Sequence, residues 1–247
     1  MLLLLFVAAM MPLAPSSALV KQCGLVTDGR GLATATSTSI SFPDNSFLKN
    51  NGFLMLPDVF RAPDYEWIKT QLPSLRKQMR KEVNSLAFNR MGCRLPAEHH
   101  LNTLFYKNDL LNKMLSTKTG RSKIWRPESF PLEFRYYQKG AYMDMHLDDC
   151  LFDTPQLEFI YTIENDSDSY TQFLTRDGYL ESEYCLPNSL IVVEAGSSLH
   201  GVTKLTKGSR SIIKGLYTSS NNVTDLYANA LKTYNKESSK QKKKAKR

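Results

Sequence analysis

Tyr136-Tyr137-Gln138-Lys139-Gly140-Ala141-Tyr142-Met143-Asp144-Met145-His146-Leu147-Asp148 is the stretch on which the reading of this chain turns. It is rich in aromatic and β-prone residues, it is broken once by a glycine that reads as a turn or bulge, and it ends in a histidine and a carboxylate two residues apart. On a strand, alternation sends residues 146 and 148 to the same face. Such a pair is common by chance, and it gains meaning from two residues downstream. His200 stands 54 residues further on, beyond the apolar run Leu190-Ile191-Val192-Val193, and Arg210 opens Arg210-Ser211-Ile212-Ile213-Lys214 ten residues after that. Two histidines and one carboxylate on one face of an octahedral ion leave three adjacent positions open, an arrangement suited to non-haem Fe(II). The remaining histidines, His99 and His100, sit in the polar stretch Ala97-Glu98-His99-His100 and read as surface residues.

Outward from this stretch, helical patterns precede strands. An apolar stripe of Ile68, Leu72, Leu75, Met79 and Val83 predicts a helix over about 63–87, kinked near Pro73. A second helix is expected over 102–115, an early edge strand at 53–56 and a short closing helix at 226–235. From residue 131 short β-rich runs take over, at 132–138, 141–147, 157–163, 170–174, 190–193, 198–205 and 211–217. Their spacing suits two packed antiparallel sheets, so the expected class is mainly β (α+β): a jelly roll with supporting N-terminal helices.

The chain has 247 residues, 42% apolar and 11% aromatic, enough for one sizeable core. Of the net charge of +8, the last twelve residues contribute +6, which leaves +2 for the rest and gives no reason to expect a nucleic-acid partner. Residues 1–18 read as a signal peptide, 19–45 as a flexible spacer, 46–220 as the folded domain, and 221–247 as a short helix followed by a basic disordered tail. The leading apolar run is too short for a transmembrane helix in a mature chain. The expected destination is the secretory pathway, with an organelle reached through a bipartite leader as the alternative. Cys23, Cys93, Cys150 and Cys185 leave their pairing open; Cys150 with Cys185 is the candidate bridge, and a buried free thiol is the other reading.

Taken together, His146, Asp148, His200 and Arg210 resemble the iron(II)/2-oxoglutarate-dependent dioxygenases, particularly the prolyl 4-hydroxylase-like branch, over about residues 46–219. In that family the fold is a double-stranded β-helix. The resemblance implies that His146, Asp148 and His200 hold Fe(II) and that Arg210 receives the far carboxylate of 2-oxoglutarate, with Lys214 as the alternative anchor. It also implies a cosubstrate-contacting tyrosine at Tyr136 or Tyr137; strict alternation favours Tyr136, and a bulge at Gly140 reverses that. O2 is then consumed, succinate and CO2 are released, and ascorbate is a further possible requirement. The substrate is a protein side chain, proline-like, or a small molecule. Trp67, Trp125, Tyr142 and Phe152 are candidates to line an aromatic groove. Residues 166–172, Asp-Ser-Asp-Ser-Tyr-Thr-Gln, depart from the family's glycine-rich link. A non-catalytic metal- or sugar-binding jelly roll is the competing reading, and it leaves Arg210 unexplained.

Overall fold

The computed structural model describes residue 47, residues 50–82 and residues 86–232, all within the unit Phe42–Arg247. The expected leader, spacer and basic tail lie outside the described residues. In chain order the strands are β1 (Phe53–Leu56), β2 (Arg80–Lys81), β3 (Ala87–Arg94), β4 (Glu133–His146), β5 (Leu157–Asn165), β6 (Thr171–Leu174), β7 (Leu180–Glu183), β8 (Ser189–Glu194), β9 (His200–Val202) and β10 (Arg210–Tyr217). The helices are α1 (Ala62–Gln78), α2 (His100–Tyr106), α3 (Asp109–Thr119) and α4, residues 225–232.

The strands pair antiparallel in the order β1-β8-β5-β10-β4-β9-β6-β7, with β3 also on β4 and β2 on β3. Phe53 on β1 and Phe173 on β6 are far apart in that order, yet their rings stack 3.7 Å apart and within 8° of parallel. The sheet therefore curls back on itself, and the fold is the expected jelly roll.

Alternation along the strands separates two faces. Leu54, Leu56, Phe134, Phe159, Tyr161, Ile163, Leu190, Val192, Ile213 and Tyr217 point outward and pack under Ile68, Leu72 and Leu75 of α1, Leu101 and Phe105 of α2, and Leu111 and Leu115 of α3. Each such fully buried side chain contributes about 1.5–3 kcal/mol, so this layer supplies much of the stability. The opposite, inner face carries two smaller apolar clusters, one of Phe53, Phe173, Cys185, Ile191 and Val193 and one of Tyr137, Ala141, Leu205 and Ile212. Polar residues fill the space between these clusters.

Several expectations are corrected. The first helix ends at Gln78, and the chain then forms β2 and β3, because pairing of β3 along β4 overrides the helical spacing. Pro73 lies within α1 without ending it, on its exposed side. The second expected helix is two: Asn108 adopts an extended backbone and accepts from Leu111 N at 3.0 Å, restarting the chain as α3. The runs at 132–138 and 141–147 form one strand, β4, bent where Gly140 takes φ +83°. β7 carries no apolar alternation to announce it, because its Leu-Glu-Ser-Glu is mostly exposed. Cys150 and Cys185 are free; Cys185 Sγ lies 3.2 Å from Thr171 Oγ1, whereas Cys150 Sγ lies 3.5 Å from the Ala195 carbonyl.

Candidate active site

His146 is the last residue of β4 and His200 the first of β9, and the two face each other across the ladder with ring centroids 4.4 Å apart. Asp148 is not on a strand, as alternation had it, but in the loop just beyond β4. It still reaches the same point: ligand atoms of His146, Asp148 and His200 all lie within 4.8 Å of one another. Asp148 Oδ1 is 3.8 Å from His146 Nε2, and Oδ2 is 3.5 Å from His200 Nε2.

Each imidazole turns its Nδ1 to a carbonyl two residues upstream, His146 to Asp144 O at 2.9 Å and His200 to Ser198 O at 3.0 Å. A ring that donates from Nδ1 presents its Nε2 lone pair, the tautomer a metal requires. Burial, then the neighbouring His200, lowers the pKa of His146 and so favours the neutral ring. Burial by itself would raise Asp148, but Lys214, His200 and His146 outweigh it and hold the carboxyl below its usual value. Asp148 Oδ2 is buried without a hydrogen-bond partner among the described residues. Two imidazole nitrogens and an orphaned carboxylate oxygen converging on one point fit a divalent ion of the iron type.

Arg210 lies on the inner face at 1% exposure. Its Nη1 donates to Thr171 Oγ1 at 3.0 Å and its Nη2 to Thr162 Oγ1 at 3.5 Å, while Nε has no partner. Among the described residues no carboxylate pairs with it. A buried guanidinium without a counter-charge is costly unless something anionic arrives. β10, which Arg210 opens, runs between β4 and β5, with Arg210 opposite Tyr137 and Asn165, while β9 pairs with β4 and β6.

The two tyrosines part company. Tyr137 is buried on the inner face with Ala141, Leu205 and Ile212, and its hydroxyl accepts from Arg90 Nη1 at 2.8 Å. Tyr136 faces the helices beneath Arg76, which sits 5.4 Å from its ring. The backbone at Gly140 and the register shift between Met143 and His146 reverse the face, so that Tyr137, not Tyr136, shares the interior with His146.

Lys214 does not serve the anchoring end. Its Nζ is 3.6 Å from Asp148 Oδ1 and 3.3 Å from Glu158 Oε2, so it stands at the carboxylate ligand about 13 Å along β10 from Arg210. Those acids raise its pKa against a burial effect that would lower it, and burial raises Glu158 despite Lys214.

The four candidate groove aromatics are scattered. Trp67 meets His100 on the helical side, Trp125 bridges Thr218 by its backbone, Phe152 is buried against Tyr227, and Tyr142 stacks on Phe88. Only Tyr142 borders the open cleft of about 460 Å3 that runs beside the histidine-bearing strands, together with Met145, Gln172, Val202, Thr203 and Lys204. His99 caps α2 by accepting from Leu101 N at 3.3 Å, and neither it nor His100 belongs to the site.

Residues without a distinctive sequence signature support the site. Asp166 Oδ1 accepts from Ser209 N at 2.7 Å and Asp168 Oδ1 from Thr206 N at 2.9 Å, holding the turn that leads into Arg210. The departure at 166–172 thus has a structural use. Glu158, a lone acid in the apolar run Leu157-Glu158-Phe159-Ile160-Tyr161, is the legible signal of a buried charge that needs a partner.

No family model matches the chain, and no curated protein matches it by sequence. Solved structures do. A prolyl-4-hydroxylase from Pseudomonas putida aligns with a TM-score of 0.56 at 12% identity, covering 70% of this chain and 96% of that one. A prolyl hydroxylase from Trichoplax adhaerens, in complex with a hypoxia inducible factor oxygen degradation domain peptide fragment, gives 0.56 at 12%, covering 71% and 87%. The non-heme alpha ketoglutarate dependent epimerase SnoN from nogalamycin biosynthesis gives 0.58 at 9%, covering 70% and 77%. The fold of this chain is the one shared by iron(II)/2-oxoglutarate oxygenases, prolyl 4-hydroxylases among them.

Proposed function

We propose that the protein is an Fe(II)- and 2-oxoglutarate-dependent dioxygenase that hydroxylates a protein side chain, proline-like, or a small molecule, releasing succinate and CO2. The observation that carries this reading is the pairing of two incomplete features on one inner face: a His146–Asp148–His200 cluster with an orphaned Asp148 oxygen, and a buried Arg210 with no acid beside it among the described residues. A five-carbon keto-diacid completes both, with one end at the cluster and the other at the guanidinium. A metal- or sugar-binding module gives the second feature no role.

In this reading His146, Asp148 and His200 hold the ion, which when bound supplies the oxidising chemistry with O2 and 2-oxoglutarate. Arg210 binds the far carboxylate; its planar fork stays charged when buried and takes a carboxylate through two parallel hydrogen bonds. Thr171 and Thr162 orient the guanidinium, and Tyr137, opposite Arg210 in the ladder, borders the same space. Ile212 and Ala141 exclude water around the diacid chain. The carboxylate ligand favours hydroxylation over halogenation, because it fills the position a halide would need. By the same proposal residues 1–18 direct the chain to the secretory pathway, and a fluorescent fusion separates this from organelle import.

The test is incubation with Fe(II), ascorbate, 2-oxoglutarate and 18O2 over panels of peptides and metabolites. Succinate formation coupled to one labelled oxygen in a product supports the reading. Iron binding without 2-oxoglutarate affinity or turnover of any panel member contradicts it.

A further inference from the structure

Asp148 differs from its two partners in the cluster. His146 and His200 are strand residues locked across a ladder, whereas Asp148 sits in the loop after β4, off the ladder, so that what touches its carboxylate decides whether it offers one oxygen or both. A chain of buried polar groups arrives at it from the other side. Gln156, 1% exposed, donates from Nε2 to Asp149 O at 2.8 Å and accepts from Leu151 N at 3.0 Å, so it ties down the loop backbone on both sides of Cys150. The same Nε2 is 3.2 Å from Glu158 Oε1; the other oxygen of Glu158 is 3.3 Å from Lys214 Nζ; and Lys214 Nζ is 3.6 Å from Asp148 Oδ1. Lys214 projects from β10 between Ile212 and Leu216, both buried, so its stem has little room to move. The ammonium stands on Oδ1, and Oδ2 is the oxygen left without a hydrogen-bond partner.

We propose that Lys214 is the positioning residue of the candidate metal site: anchored by Glu158, it occupies Oδ1 of Asp148 and so presents that carboxylate to the ion through Oδ2 alone. This rests on the metal-site reading above. Its consequence is the number of open positions. With a one-oxygen carboxylate an octahedral ion keeps three sites for exchangeable ligands, two for a chelating keto acid and one more; a carboxylate bound through both oxygens leaves two. A side chain that touches neither substrate nor ion then decides whether the site has room for all its ligands.

The experiment uses Mn(II) as the probe, without 2-oxoglutarate, and measures water-proton relaxation enhancement by the bound ion together with its dissociation constant. Wild type is expected to bind one Mn(II) carrying three waters. Lys214→Met, with folding checked by its melting curve, is expected to keep the ion with about one third less relaxation enhancement, as both oxygens of Asp148 take hold. Lys214→Arg, which keeps a cation at the carboxylate, is expected to restore the wild-type value. Glu158→Gln, which loosens the anchor without deleting the ammonium, is expected to fall between, and it serves as the readout should Lys214→Met not fold. Relaxation enhancement unchanged in Lys214→Met and Glu158→Gln overturns the positioning role while leaving the metal site standing. Failure of the wild type to bind Mn(II) overturns the metal-site reading and this proposal with it.

Discussion

Replacing Arg210 by methionine separates a ligand-binding arginine from a structural one, because the two predict opposite changes. In the protein without ligand the guanidinium is 1% exposed, holds two threonine hydroxyls at 3.0 and 3.5 Å, and among the described residues has neither a carboxylate nor a partner for Nε. Exchanging a buried, uncompensated ion for an apolar chain of similar length is expected to be neutral or stabilising, by up to a few kcal/mol. With 2-oxoglutarate the sign reverses. A diacid whose far carboxylate is buried against an apolar side chain loses a charge-assisted pair and leaves its own charge unmatched, at a cost of about 3–5 kcal/mol, or roughly two to three and a half powers of ten in Kd. The assay is thermal unfolding in Mn(II) with and without 2-oxoglutarate. At 100 times its Kd the cosubstrate stabilises wild type by about 2.7 kcal/mol, which for a domain of this size is roughly 5–10 °C in Tm. Arg210→Met at the same concentration is expected to shift by less than about 1 °C. A variant that loses several kcal/mol without ligand yet keeps the full 2-oxoglutarate shift refutes the reasoning, since Arg210 would then be a structural ion.

Tyr137→Phe removes the acceptor of an Arg90 N–H bond at 2.8 Å inside the barrel and is expected to cost about 1–3 kcal/mol of stability and to weaken 2-oxoglutarate binding several-fold, whereas Tyr136→Phe on the helix face leaves binding unchanged; equal effects on binding would contradict the face assignment. Glu133 supplies a pH signature. Burial alone would raise its pKa, but Arg135 and Lys214 outweigh that and hold it at about 2, below an ordinary 4.5. Its folded-state pKa is depressed, so its contribution, about 3 kcal/mol, is present above about pH 4.5 and is lost as pH falls toward 2. Denaturant titrations across that window are expected to show a shallower loss of stability in Glu133→Gln than in wild type, and parallel slopes would remove the effect. Alkylation of the protein denatured without reductant is expected to label both Cys150 and Cys185, and protection of both would restore the bridge.

The metal ligands and the anchor are legible in the sequence because they are chemically distinctive and few: with four histidines in the chain, His146-x-Asp148, His200 and Arg210 leave little to choose among. The outward-facing runs of β5, β8 and β10 are legible from their apolar density. Less visible is anything decided by long-range pairing. The helical spacing runs on past Gln78 to Val83, through β2, which instead pairs with β3 on the edge of β4, and the face of Tyr137 depends on a backbone bend at Gly140 that alternation alone cannot locate. Alternation puts Asp148 on a strand, and only the fold reveals that it lies past the end of one. The support of that ligand by Gln156, Glu158 and Lys214 is hidden for the same reason: the three come from the loop-to-strand junction and from β10, and sequence spacing does not reveal which inward polar residues meet.

Equilibrium dialysis of Fe(II) under anaerobic conditions bears on the central claim most directly. One ion per chain is expected in wild type and in Arg210→Met, with none retained by His146→Ala or His200→Ala at the same free metal concentration. Wild type without iron, or histidine variants loaded as fully as wild type, would contradict the account.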